Sequence, residues 1–429
     1  MDSKFIKELP ELIQNGVISK EIASKIENYY NSRSASKSSS NNLFTIFGVL
    51  GSLLVGLGII LILAHNWDDF SKTVKSILAF LPLVVGQFIV GYSILKEKSK
   101  TWLESSGVFL FFAVGSSISL ISQIYNIPGN LSSFLLSWIL LCLPLIYLLK
   151  FKGVFLLTLI FATVYACSLG YSFSSETKVP WFYILLFALL LPQYFYHLKN
   201  NLTTNFTAIL NWLFPLSLII VFGAFLNTVY RLDVILYSFL LGFIYNVGQL
   251  KSFRSLRVSK NGFLVIGSLG LVITMLMVSF ESFWNIDFEI SFLGNKELLI
   301  GGFLMLSTLY MLIKNNSFSK FNFNNIFQFI PFLMILFYAT QSLDTRITVA
   351  LVNITVLVLG VSIVKKGVDK ASFVILNYGL LIITALITCR FLDTEMTFII
   401  RGLLFIIVGA GFFVTNYLML KKQSKTLKK

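Results

Sequence analysis

The stretch Leu57–Lys72 reads LGIILILAHNWDDFSK. Eight residues without a charge, Leu57 to Ala64, end abruptly in His65, Asn66, Trp67, Asp68 and Asp69. The apolar run opens at Leu43 and holds 22 uncharged residues, close to the ~20 that a helix needs to cross a hydrocarbon core. A change from oil-soluble to water-soluble residues within one helical turn marks the edge of a bilayer, and Trp67 is placed for the aromatic belt at that edge.

The composition extends this reading to the whole chain. Of 429 residues 56% are hydrophobic and 12% charged, and the mean hydropathy is +0.82. Soluble domains are about a quarter charged, so a soluble fold would lack a surface. The sequence therefore predicts an all-α polytopic membrane protein with about fourteen transmembrane helices. They are expected at 43–64, 73–95, 103–124, 131–149, 153–171, 180–198, 206–227, 232–250, 261–281, 297–313, 326–342, 346–364, 371–390 and 397–420. The net charge of +15 does not point to nucleic acid, because the basic residues sit in short loops between apolar runs. With both termini placed inside, the inner segments hold 26 of the 34 Lys and Arg, and the outer segments hold Lys72, Lys178, Arg231, Lys296, Arg346 and Arg390. This alternation follows the positive-inside rule from end to end. The first span is longer than a signal-peptide core and lacks a small-residue cleavage site, so it is expected to remain.

Residues 1–30 read as a cytosolic pair of short amphipathic helices, interrupted at Asn15-Gly16, with Ser19 as an N-cap and Ile22, Ile26 and Tyr30 on one face. Residues 31–42 are a serine-rich linker. The membrane part divides into a first module at 43–150, a middle module at 151–325 and a C-terminal module at 326–420. A basic tail follows at 421–429.

No soluble-enzyme motif is present, so no catalytic residue is assigned. Cys142, Cys167 and Cys389 all lie in apolar runs without metal-ligand spacing, and no metal or cofactor is implied. The two histidines, His65 and His197, lie near span ends and read as interfacial residues. No Asp or Glu falls near the centre of a span, which weakens an ion-coupled mechanism.

Three groups are candidates for function. The first is the outer-mouth cluster His65, Asn66, Trp67, Asp68 and Asp69. The second is Ser116, Ser119, Gln123 and Asn126, whose spacing stacks them on one face of the third span as interhelical glue or a polar pathway. The third is a charge cluster of Asp344, Arg390, Asp393 and Arg401. Acidic residues gather at outer ends (Asp68, Asp69, Asp233, Glu281, Asp287, Glu289, Asp344, Asp393, Glu395), and Arg401 enters its span by roughly 6–8 Å. It is either a snorkelling arginine or a partner for Asp344, Asp393 or an anionic head group. LDTRITVALVNITVLVLG from Leu343 matches LDTEMTFIIRGLLFIIVG from Leu392 at an offset of 49 residues, as a duplicated hairpin would. Gly48, Ser52 and Gly56 form a small-residue packing stripe on the first span.

LIQNGVISKEIASKIENYY, AHNWDD, QIYNIPGN with Gln123, Tyr125 and Gly129, then Trp138 and LPLIYLLK together resemble the bacterial membrane family catalogued as domain of unknown function 2157. The resemblance covers about residues 8–150. RFLDTEMTFIIRGLLFIIVGAGFF is similar to the tail of longer members. His65 stands where that family would place a small residue, and Asn130 where it often has an acidic one. The resemblance implies a bacterial inner-membrane protein and no particular activity. Three readings stay open: a carrier or flippase for a small or lipid-linked molecule, a structural or sensory subunit of a membrane complex, and, ranked third, a membrane-embedded enzyme using His65, Asp68 and Asp69. The partners expected are membrane lipids and a protein that contacts residues 1–30.

Overall fold

A computed structural model describes residues 12–26, 67–171, 178–226, 230–284, 295–315, 323–341 and 344–393, with single positions and short runs between 399 and 420. The described residues are helices joined by turns, without a β-strand among them. Among the described residues, twelve helices of twelve or more residues run from Lys72 to Asp393: α1 Lys72–Leu95, α2 Lys100–Ile124, α3 Leu131–Leu148, α4 Lys152–Gly170, α5 Trp181–Asn200, α6 Asn205–Phe222, α7 Tyr230–Gly248, α8 Gly262–Met277, α9 Asn295–Lys314, α10 Ile330–Gln341, α11 Thr345–Asp369 and α12 Phe373–Asp393. They fall at the second to thirteenth expected positions. Eight are long and apolar enough to cross a membrane, while α7 to α10 contribute shorter apolar segments. The first expected span, the linker at 31–42 and the basic tail lie outside the described residues. So do His65, Asn66 and Arg401.

The chain comprises two compact units, residues 1–78 and 79–429. In the first, residues 12–14 and 20–26 are helical and flank a turn at Gly16. Gly16 has φ +68°, and the Val17 N–H donates back to the Leu12 carbonyl at 3.0 Å. This is a left-handed helix stop that glycine adopts without steric cost. Ser19 Oγ accepts from the Ile22 N–H at 3.3 Å. Ala23 is buried, whereas Ile22 of the expected apolar face is exposed.

In the second unit α1 reverses the soluble pattern. The buried residues of α1 are Ala79, Gly86, Val90 and Ser93, while Phe88 is 74% and Leu95 84% exposed. Small residues inside and large apolar residues outside suit a lipid solvent, where close backbone approach drives association. Gly86 lets α1 approach Leu110 of α2, and Ser117 Oγ donates to the Ala79 carbonyl at 2.7 Å. Pro82, Pro144, Pro192 and Pro215 sit within helices, which membrane bundles tolerate.

Two cores form. One joins α2 to α6 with faces of α1, α7 and α9 and Phe263 of α8, and is rich in rings: Phe111, Trp138, Phe155, Tyr183, Tyr194 and Phe214. The other joins α10, α11 and α12 with parts of α7 and α8. Leu240 and Ile244 of α7 face the first core, and Leu241 and Tyr245 the second, so α7 runs along the seam between them.

In the first core Gly115 lies beneath the Trp138 indole, and a Cβ there would stand 2.3 Å from the ring. The indole N–H donates to the Phe111 carbonyl at 2.6 Å, so the ring cannot swing away without losing that bond. Gly115→Ala should therefore lower stability by about 1–3 kcal/mol through overpacking. Gly91→Ala, where nothing lies within 4 Å, should leave it unchanged or raise it. Thermal unfolding of the two purified variants in one detergent checks the contrast.

Candidate functional site

Of the four polar residues expected to share a face of α2, Ser116, Ser119 and Gln123 lie within the helix and Asn126 just beyond its end. Ser116 is half-buried and bonds its own helix at the Ala113 carbonyl, 3.0 Å away. Ser119, Gln123 and Asn126 are exposed. Gln123 stands next to the last residue of α2. The buried hydroxyl on α2 that ties it to a neighbour is that of Ser117.

Asn126 ends the helix. Its φ is +50°, its N–H donates to the Gln123 carbonyl at 3.4 Å, and the Ile127 N–H donates to the Ser122 carbonyl at 2.9 Å. That pair of bonds is a Schellman stop, and asparagine tolerates the left-handed backbone better than most residues. Three residues after Ile127, Asn130 opens α3. Its Oδ1 accepts from the Ser133 N–H at 2.8 Å, while Ser133 Oγ accepts from the Asn130 N–H at 3.3 Å. The stretch QIYNIPGN is thus a stop, a proline and a start, which together turn α2 into α3. An acidic residue in place of Asn130 would serve the same capping role.

Of the outer-mouth cluster, Trp67, Asp68 and Asp69 form a turn before α1, with both carboxylates exposed and Lys75 Nζ 5.8 Å from the centre of the Trp67 ring. Of the late charge cluster, Asp344 is the exposed N-cap of α11 and accepts from the Arg346 N–H at 2.8 Å. Asp393 is the last residue of α12, and its side chain lies outside the described residues. The two aspartates of the repeat therefore stand at a helix start and a helix end. Arg390 reaches Ser279, donating from Nη2 to the carbonyl at 2.6 Å and to Oγ at 3.1 Å, with its guanidinium over the Phe280 ring. Asn353 Nδ2 donates to the same carbonyl at 3.4 Å.

Two carboxylates that the sequence reading passed over are structurally committed. Glu104 of α2 accepts from the Lys152 and Gly153 N–H groups at 3.1 and 3.0 Å, and so caps α4, whose own N-cap residue Phe151 cannot. Negative charge at a helix start is favourable. His197 is buried beside this point with its ring 5.0 Å from Phe206. Glu297, in the first turn of α9, is 3% exposed and lies near enough to Asp233 of α7 to act on it electrostatically. Both glutamates occupy the first or second turn of an apolar helix, a position the sequence displays but does not distinguish from an interfacial charge.

Among the described residues, buried side-chain oxygens without a donor lie on α7 and on the segment before α10, and a further one, Asn353 Oδ1, lies on α11. Asp233 Oδ1, Asn246 Oδ1 and Gln328 Oε1 are buried and have no donor among the described residues. Gly242 of α7 packs on Pro331 of α10, and the Tyr245 and Phe327 rings meet at 5.1 Å. Asn246, one turn beyond Gly242, therefore faces the segment that carries Gln328. Asn246 is fully buried, its Nδ2 donates to the Gly242 carbonyl at 2.8 Å, and its own carbonyl accepts from Asn315 at 3.1 Å. Such acceptors are occupied in working proteins by water, an ion or a ligand group. Among the described residues, no group of three His, Cys, Asp or Glu could hold a metal ion.

The turn supplies a clean test. Asn130→Asp should keep the stability of the native chain, and Asn130→Ala should cost about 1 kcal/mol. Thermal unfolding in detergent distinguishes them.

No curated protein and no solved structure matches this chain. Residues 10–155, which hold the AHNWDD edge, the α2–α3 turn, Trp138 and the start of α4, match the family described as "Predicted membrane protein (DUF2157)".

Proposed function

We propose that the chain is a carrier or flippase for a small or lipid-linked molecule, with its polar route along α7. The supporting observation is the set of donor-less buried oxygens, Asp233 Oδ1, Asn246 Oδ1 and Gln328 Oε1, where two separately packed cores meet. Carriers commonly place their sites between two packed bodies that rock against each other. A permanently unsatisfied amide in a rigid scaffold would cost about 1–3 kcal/mol without return. The route assigned by this reading differs from the α2 face, whose Gln123 and Asn126 are exposed at a helix end.

The second reading, a structural or sensory subunit, draws on the first core. There Glu104, Trp138, Tyr183 and Tyr194 tie helices together at fixed points, Tyr183 through Ser217 and Tyr194 through Asn211 at 2.7 Å each. In that reading residues 1–30 contact a protein partner.

Both readings place the chain in a bacterial inner membrane with fourteen spans and both ends in the cytoplasm. Contacts in the second unit support the sidedness. Glu104 with Lys152, Lys152 with Phe206, and Asn211 with Lys260 draw the α1–α2, α3–α4, α5–α6 and α7–α8 connections to one end, where the lysines concentrate. With the three native cysteines replaced, Asp69→Cys should react with an impermeant reagent on intact cells. Lys98→Cys should react only after permeabilisation. The reverse pattern would invert the topology.

Untargeted comparison of lipids and metabolites between a deletion strain and its parent tests the carrier. Asn246→Leu removes an amide that bonds only within its own helix, so stability in detergent should hold or rise. Rescue of the deletion should nevertheless fail. Full rescue by Asn246→Leu would remove the seam route, and an unchanged lipid and metabolite profile would favour the structural reading.

A further inference from the structure

We infer that α1 is the contact between two copies of this chain, which pair within the membrane through the Gln87 amide. This contact is separate from the seam route and does not depend on the carrier reading.

α1 is held to the rest of the bundle along one face. Its buried residues are Ala79, Gly86, Val90 and Ser93, and on this face Gly86 meets Leu110 while the Ala79 carbonyl accepts from Ser117 Oγ. The apolar stretch of α1 is only 22% buried against the rest of the chain. Its remaining surface is mostly what a lipid solvent asks for, with Phe80 47%, Val84 61% and Phe88 74% exposed.

Gln87 interrupts that surface. It is exposed, and by helix rise it stands roughly 5 Å from the middle of α1 and about 12 Å from Leu95. Its side chain is too short to carry the amide to water from that depth. Ser93 of the same helix returns its proton to the Ile89 carbonyl at 2.7 Å. Among the described residues no group bonds the Gln87 amide. Hydrocarbon offers it neither a donor nor an acceptor, so its partner has to come from protein.

The surroundings of Gln87 select the partner. Phe80, Val84, Gln87 and Gly91 follow one another at four, three and four residues, the spacing of a seam between two helices. A Cβ added at Gly91 would meet nothing within 4 Å, so the backbone is open there. A small residue one turn from a polar one lets membrane helices approach closely enough to share a hydrogen bond. A carboxamide has a partly negative oxygen and a partly positive NH2 group. Two copies inserted in the same orientation have parallel α1 helices with Gln87 at equal depth. A two-fold axis along the membrane normal then sets the oxygen of each amide against the NH2 group of the other. This complementarity favours a second copy over an unrelated helix, and an interface of this symmetry closes at two chains.

The test uses the full-length chain with Cys142, Cys167 and Cys389 replaced and one fluorophore at its C-terminus. Copies per particle are counted by stepwise photobleaching in bilayers of falling protein density. The parent chain should be dimeric and dissociate only on dilution. Gln87→Leu suits a lipid-facing position, so it should unfold at the parent temperature. It should dimerise roughly ten-fold more weakly, the effect of losing two interhelical hydrogen bonds. On oxidation in the membrane Val84→Cys should link two chains, and Val85→Cys, 40% exposed but turned away from the seam, should not. A parent chain that is monomeric at every density would overturn the inference. So would undiminished pairing of Gln87→Leu, or equal linking at the two cysteine positions, which marks random collision. A disulfide within one chain between Ser52→Cys and Gln87→Cys would also overturn it, by giving this face to the first expected span.

Discussion

In a hydrocarbon solvent a polar group has no partner except another part of the protein, and this constraint shapes every connection in the bundle. Apolar attraction does not choose which helix lies against which, because lipid tails offer leucine the same contact. Pairing is set by glycines that admit a neighbour and by polar side chains that reach a neighbour's backbone. Gly115 with Trp138, Ser117 with the Ala79 carbonyl, and Thr308 with the Phe239 carbonyl show both devices. The Ser117 bond joins successive helices, and the Thr308 hydroxyl bridges the Phe239 carbonyl of α7 and the Leu304 carbonyl of its own helix.

Helix ends face a related problem, and the chain solves it with local chemistry. Gly16, Glu97, Asn126 and Ala371 take left-handed backbone at helix stops. Asn130, Thr204, Asn261 and Asp344 open helices by accepting a backbone N–H. Where Phe151 offers no side-chain oxygen, Glu104 arrives from another helix to cap α4. That substitution converts an end-capping bond into a long-range tie between α2 and α4. The segment matching the family ends just past this tie, at residue 155.

The positions of the helices were legible because a span requires a long apolar run and the loops must carry charge. Hence α1 to α12 begin and end within five residues of the expected spans; the largest differences are the ends of α6 at Phe222 and α11 at Asp369, followed by α8, which stops at Met277, and α10, which opens only after a tight turn at Phe323–Gln328. Side-chain roles were less legible. Helical periodicity placed Ser116, Ser119, Gln123 and Asn126 on one stripe, but depth along the helix decides whether a stripe meets hydrocarbon or water. Asn126 was a backbone feature, and periodicity does not carry φ. Asn246 and Gln328 escaped notice because each lies near a span end beside other amides, Gln249 and Asn325, where an amide reads as interfacial. Their significance comes from Gly242 meeting Pro331, a contact between residues 89 positions apart in sequence.

Arg390 shows how the same constraint treats a charge. A guanidinium on a membrane helix must keep company with polar atoms, and here it takes the Ser279 carbonyl and hydroxyl at the point where α8 has already ended. A free carbonyl at a helix end carries partial negative charge, so a cation there is stabilised by the dipole as well as by the hydrogen bond. Asn353 shares that carbonyl, and Gln341 donates to the Trp284 carbonyl nearby at 3.0 Å. The early end of α8 is therefore what makes an arginine tolerable at this depth. At this end of the second core, side chains from α10, α11 and α12 converge on carbonyls that the end of α8 and the Glu281–Trp284 turn leave open.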